Sequence, residues 1–246
     1  MIEQIRAKGP LVHCLTNTVV QNFTANGLLS FGASPIMATN PIEAKEIASL
    51  ADAVLINIGT LQSIEVEAMK IAGKIANEKD LPVVFDPVGV KASSLRQTVT
   101  NNLLEKIQFT AIKGNPGEMA FLAGEEIATK GVDSADAGLA QLKQIAEKIA
   151  LKHQTIAVIT GEQDVISDGE RTIINEVGHG MLTCITGSGC LLGALIGAAL
   201  TVEGDALEAV QAVVRFYCES AELAMTNKIV NGPGTFQMSF LDELSK

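Results

Sequence analysis

The chain has 246 residues, 47% of them hydrophobic, enough to bury one sizeable core without disulfides or a structural metal. Its formal net charge is −10, from 18 basic and 28 acidic residues. That balance argues against a general nucleic-acid or anionic-membrane surface and leaves room for a nucleotide held by one Mg²⁺ and a few local donors. The four cysteines, Cys14, Cys184, Cys190 and Cys218, have no CxxC spacing, and the three histidines are scattered, so zinc is not expected and a reduced, cytoplasmic protein fits best. No secretory signal is visible at the start. The most apolar segment, residues 190–202, is broken by Gly193 and Gly197 and is too short to span a bilayer.

Strand-length apolar runs alternate with segments of helical period. Residues 11–15 read as a strand, 19–31 as a helix, 34–38 as a strand and 41–50 as a helix with Pro41 in its first turn. A buried-type strand follows at 53–58, then an amphipathic helix at 64–78 and a strand at 83–85 ending in Asp86-Pro87. Residues 95–107 read as a helix, 110–113 as a strand, 135–151 as a long helix and 155–159 as a strand. Residues 164–166 and 172–174 flank Ser167-Asp168-Gly169-Glu170 as a hairpin. Helices are expected at 189–202, 206–226 and near 235–244. Such alternation predicts one three-layer α/β/α unit over residues 1–246, with a mostly parallel sheet covered on both faces. Ligands of these sheets bind beyond the carboxyl ends of the strands, so the informative residues are those where strands stop.

Five constellations lie there. Thr186-Gly187-Ser188-Gly189-Cys190 opens an apolar helix. Its glycines permit a tight turn and a close backbone approach, and the free N–H groups of the first helical turn favour an anion. It lacks the Gly-Lys-Ser/Thr of a Walker A loop and the third glycine of a dinucleotide fingerprint. An ordinary helix start capped by Thr186 or Ser188 fits it equally. Asp86-Pro87-Val88-Gly89 offers a carboxylate for Mg²⁺, or merely a turn. In Lys113-Gly114-Asn115-Pro116-Gly117-Glu118, Lys113 suits a phosphate and Glu118 a metal, while Asn115 and Glu118 equally form a capping box. Thr160-Gly161-Glu162 is either a hairpin entry or a phosphate contact. Asn17, with His13 and Asn22 to Asn26, crowds amides at one strand–helix junction, where they cap, turn or bind a polar heterocycle. Met37 is a core residue by composition, or the lining of an adaptable apolar pocket.

These motifs, in one order along nearly the whole chain, resemble those of the hydroxyethylthiazole kinase family, within the ribokinase-like superfamily. The most specific are Leu11 to Asn17, Asn22 to Leu29, Gly32 to Met37, Asp86 to Gly89, Gly114 to Glu118 and Thr186 to Cys190. The resemblance implies transfer of the γ-phosphoryl group of ATP to the primary alcohol of 4-methyl-5-(2-hydroxyethyl)thiazole, in thiamine salvage. It further implies Met37, Gly187 and Asn17 at the thiazole; Lys113, Thr160, Asn115 and Gly189 at ATP; and Asp86 and Glu118 near Mg²⁺. It also implies a homotrimer with active sites between subunits, and no nucleic-acid or membrane partner. Cys190 stands where many superfamily members carry an Asp base. A helix N-terminus is expected to lower its pKa, so it serves as proton acceptor or simply packs beside the substrate. Rival readings are a related kinase of hydroxymethylpyrimidine or pyridoxal, and a non-catalytic nucleotide- or thiazole-binding regulator.

Overall fold

The computed structural model describes residues 1–126 and 135–246. In chain order the elements are α1 (Ile2–Lys8), β1 (Leu11–Leu15), α2 (Gln21–Phe31), β2 (Ser34–Ile36), α3 (Pro41–Leu50), β3 (Ala53–Asn57) and α4 (Ser63–Glu78). Then come β4 (Val83–Asp86), α5 (Ser94–Lys106), β5 (Ala111–Gly114), α6 (Pro116–Ala123), α7 (Ala135–His153) and β6 (Ile156–Ile159). The chain closes with β7 (Asp164–Ser167), β8 (Thr172–Asn175), α8 (Ser188–Ala199), α9 (Ala206–Thr226) and α10 (Pro233–Leu244). Short 3₁₀ segments occupy Val90–Ala92 and Gly180–Cys184.

One sheet carries the strands in the order β2-β1-β3-β4-β5-β6-β7-β8. Pairing is parallel from β2 through β6, and the β6–β7–β8 end is antiparallel, with β7 and β8 joined by the hairpin at Ser167 to Glu170. Every residue of β3, β4, β5 and β6 is buried, the mark of strands covered on both faces. Alternation sorts their side chains into two cores. Leu55 and Val84 join Phe23, Leu191 and Phe240 on the side of α2, α8, α9 and α10. Val54, Ile56 and Phe85 join Met69, Phe109 and Ile149 on the side of α4 and α7.

Helix α8 is buried all round after its first turn and lies across β1, β3, β4 and β5. Its glycines permit that approach: a Cβ on Gly193 would stand 3.2 Å from Leu55 Cδ1. The N-terminus of α8 is thereby set over the carboxyl ends of the central strands. Because those strands are parallel, Asn57, Asp86, Lys113 and Thr160 all arrive at one edge.

The element boundaries follow local chemistry. Helix α3 matches expectation because Asn40 caps it, accepting from the Ile42 N–H at 3.0 Å, with Pro41 first. Strand β2 stops two residues short of expectation. Its ladder ends at Ile36, and the carbonyl of Ala38 turns instead to the ring of His13. Helix α8 ends at Ala199 rather than at 202, where Thr201 Oγ1 bonds back to the Ala198 carbonyl at 2.8 Å. Helix α1 has no counterpart among the expected elements. It is short, and it is held by tertiary contact, with Arg6 Nε donating to the Phe31 carbonyl at 3.2 Å.

Candidate active site

Beneath the N-terminus of α8 lies a closed polar network. Asp86, the last residue of β4, is buried. Its Oδ2 accepts from Lys113 Nζ at 3.2 Å and from Asn57 Nδ2 at 2.9 Å, while Oδ1 is buried with no hydrogen-bond partner. Burial pushes the Asp86 carboxyl up to about 6, against the pull of the Lys113 charge and two hydrogen bonds, with Glu118 adding to the rise. Burial also presses Lys113 down. The charge of Asp86, with that of Glu118, outweighs it and holds the ammonium above its ordinary value. Lys113 is therefore a buried cation with one carboxylate partner, and two of its three N–H donors remain for another anion.

That anion has a seat. Gly187 caps α8 at φ 91° with no side-chain cap bond, and among the described residues no side chain bonds the first-turn N–H groups. A side chain at Gly187 would be strained by that φ and would strike Val20 Cγ1 at 2.5 Å. Neither Thr186 nor Ser188 caps the helix. Ser188 Oγ donates to the Leu182 carbonyl instead, at 2.7 Å. A Cβ on Gly189 would sit 3.1 Å from Lys113 Nζ, so the ammonium lies directly under the glycine backbone. Uncapped N–H groups, helix dipole and buried cation converge at one place.

Cys190 closes the network. Its sulfur accepts from Asn57 Nδ2 at 3.2 Å and from Asn17 Nδ2 at 3.4 Å. The thiol pKa is raised, not lowered as the helix start alone suggests. Burial is the larger cause and the Asp86 charge the next, and they outweigh Lys113 and the two amides. Cys190 is thus a neutral thiol in this state.

Beside the network a cavity of about 770 Å³ opens between β6, β7, α8 and α9. Asn115, Thr160 and Gly189 line it, together with Leu192 and Tyr217. Asp164 braces its wall, accepting from Gly161 N at 3.1 Å and Asn175 Nδ2 at 2.9 Å. Tyr217 Oη donates to the Ser188 carbonyl at 2.7 Å, tying α9 to the helix start.

Glu118 does what a capping box requires. Asn115 Oδ1 accepts from Glu118 N at 3.0 Å, and Glu118 Oε2 accepts from Asn115 N at 2.8 Å. Its other oxygen accepts from Gly89 N at 2.8 Å, so Glu118 also holds the loop after Asp86. Among the described residues no three His, Cys, Asp or Glu side chains gather as a metal cage. The donor set suits an ion that brings its own phosphate and water ligands, as Mg²⁺ does, with the unpartnered Asp86 Oδ1 as the available protein oxygen.

The model of the hydroxyethylthiazole kinase family matches residues 2–246. The chain belongs to the hydroxyethylthiazole kinase family. It is 49% identical to hydroxyethylthiazole kinase 1 of Oceanobacillus iheyensis, over all of this chain and 95% of that protein. It superposes on the hydroxyethylthiazole kinase protein of Pyrococcus horikoshii with a TM-score of 0.90 at 38% identity, covering 99% of this chain and 91% of the other. A ribokinase-like superfamily protein of Enterococcus faecalis shares the fold, with a TM-score of 0.69 at 12% identity over 97% of this chain and 88% of that one. The three-layer, ribokinase-like α/β fold and kinase membership hold accordingly, with ATP as the co-substrate that kinase membership carries.

Of the residues selected from sequence for a member of this family, Asn17, Asp86, Lys113 and Cys190 meet in the network, and Asn115, Thr160 and Gly189 at the cavity. Gly187 joins them only as the cap of α8. Met37 belongs to neither, half-buried after the edge strand β2. The carbonyl of its neighbour Ala38 accepts from His13 Nε2 at 2.7 Å, which fixes that stretch. Two residues escaped selection. Asn57 signalled itself weakly, as a lone amide closing the apolar run Ala53 to Ile56. Arg96 gave no signal: its guanidinium collects the carbonyls of Ile58, Gly59 (2.7 Å) and Val88 (2.8 Å), clamping the loops after β3 and β4.

Proposed function

We propose that this chain, acting as one kinase unit over residues 1–246, moves the γ-phosphoryl group of ATP to the primary hydroxyl of 4-methyl-5-(2-hydroxyethyl)thiazole, a salvage step toward thiamine. The observation that carries the reading is the uncapped first turn of α8 over the buried Lys113 ammonium, beside Asp86. The nucleotide lies in the cavity against Asn115, Thr160 and Gly189, with its terminal phosphate toward that turn. The thiazole hydroxyl attacks in line. A bond forms from its oxygen to the γ-phosphorus, the bond to the β–γ bridging oxygen breaks, ADP leaves, and the hydroxyl proton passes to Cys190 or to solvent. Lys113 and the N–H groups of Ser188, Gly189 and Cys190 stabilise the charge on the transferring group. Mg²⁺ neutralises charge on the phosphates when bound, and Asp86 through Oδ1, with Glu118 nearby, are the residues to hold it.

Asn17, Gly187 and Met37 face the thiazole in this reading. Next to Gly187 the single chain has a groove of about 340 Å³ lined by Asn22, Phe23, Thr186 and Pro233, with Val19 largely exposed on its rim, and neither Asn17 nor Met37 lines it. A second subunit completes it, so the working form is a homotrimer with active sites between subunits, in the cytoplasm. Among the described residues no helix is long and apolar enough to cross a membrane. Light scattering coupled to gel filtration tests the assembly: a monomeric, fully active enzyme contradicts it.

The activity is tested by incubating the purified protein with ATP and Mg²⁺ against the thiazole alcohol, hydroxymethylpyrimidine and pyridoxal, with the phosphorylated products read by mass spectrometry. The thiazole phosphate is expected to dominate. Turnover of either other alcohol with none of the thiazole overturns the choice of acceptor. Binding of ATP and thiazole without product favours a regulator. Cys190→Asp and Cys190→Ala divide the two roles of the thiol: full activity in the alanine variant removes proton acceptance, and activity kept only by Asp supports it.

A further inference from the structure

Asn57 ends β3 and is fully buried. Its carboxamide makes four hydrogen bonds. Nδ2 donates to Asp86 Oδ2 at 2.9 Å and to Cys190 Sγ at 3.2 Å. Oδ1 accepts from Asn17 Nδ2 at 3.0 Å and from Gly59 N at 2.9 Å. A carboxamide has two N–H donors and two lone pairs, so every valence is used. The opposite orientation of the group would set its oxygen against the Asp86 carboxylate and its N–H groups against the Gly59 N–H. The orientation is therefore fixed by its neighbours and fixes them in return.

We propose that Asn57 is a positioning residue for phosphoryl transfer, which holds Asp86, Cys190 and Asn17 in register beneath the first turn of α8. The proposal rests on the reading of that turn as the transfer centre. Among the described residues, Asn57 is the side chain that bonds all three of these groups. Its effect on Asp86 is directional. Asn57 and Lys113 both engage Oδ2, so among the described residues Oδ1 is left buried and without a partner. Losing the Asn57 donor frees the carboxylate to rotate between its two oxygens about Lys113. A displacement on the scale of one ångström at such a centre costs about a hundredfold in rate. Asn57 is not among the walls of the nucleotide cavity, so binding of ATP has no direct reason to change.

The test uses two variants, Asn57→Asp and Asn57→Ser, in the full chain. The first replaces both donors with a carboxylate oxygen facing Asp86 and the Cys190 sulfur, and the second shortens the side chain and keeps one donor. ATP affinity is measured by calorimetry and kcat with saturating ATP and thiazole alcohol. The parent must phosphorylate the thiazole for the comparison to start, and failure there strikes the proposed function rather than Asn57. In either variant, ATP affinity within about threefold of the parent and kcat lowered at least about tenfold is the expected result. ATP affinity retained with a smaller loss of kcat overturns the proposal. So does parallel loss of ATP affinity and kcat in both variants, since Asn57 then only holds the fold together.

Discussion

The polar network under α8 and the cavity beside it are built in opposite ways. The network is drawn from the ends of β1, β3, β4 and β5, and among the described residues it leaves open one oxygen of Asp86 and the N–H donors that Lys113 keeps for an anion. The cavity is open, walled by loop backbone and by side chains such as Leu192 and Tyr217. In the proposed reaction the difference separates two tasks. Groups that stabilise a transition state need fixed positions in a low dielectric, which strand ends and a helix start supply. A nucleotide needs room and a few directed contacts, which loops supply.

If that division is right, network variants lower kcat and cavity variants raise the KM for ATP. Asp86→Asn has the largest expected effect, a loss of kcat of about 10³-fold in steady-state assays, with ATP affinity by calorimetry largely kept. Lys113→Met leaves Asp86 as an uncompensated buried charge and costs about 3–5 kcal/mol of stability, read by urea unfolding. The pH profile sharpens the picture further. With Asp86 held up to about 6, its carboxylate form is lost as pH falls through that value, so kcat/KM falls about tenfold per unit below it. Thr160→Val removes a cavity hydroxyl and raises the KM for ATP several-fold, to about tenfold at most, with kcat unchanged. An equal fall in kcat breaks the comparison. Glu118→Gln exchanges one capping acceptor for a donor and costs about 1 kcal/mol, a fall of about 2–4 °C in Tm by calorimetry.

The sequence disclosed the parts of the molecule whose signals are local. Helix α9 begins where Asp205 accepts from Glu208 N at 3.0 Å, and α6 where Asn115 and Glu118 close their box, and both are written as spacings. The hairpin at Ser167 to Glu170 is of the same kind. Long-range partnerships left no such mark. Asn57 meets Cys190 across 133 positions, and Arg96 reaches carbonyls that any sequence supplies. The spacing at Glu118 allowed a cap or a metal contact, and the structure makes the cap while tying Gly89 to it as well. The sign of the Cys190 shift was out of reach for a related reason. A helix start is visible in sequence, whereas the burial that overrides it comes from the packing of α8 on the sheet.

The most direct test of the account is a crystal structure of the complex with the thiazole alcohol, Mg²⁺ and a non-hydrolysable ATP analogue. The account predicts the terminal phosphate on the N–H groups of Ser188, Gly189 and Cys190, above Lys113, with the thiazole hydroxyl in line. A triphosphate seated away from that turn, with Lys113 still paired only to Asp86, contradicts it.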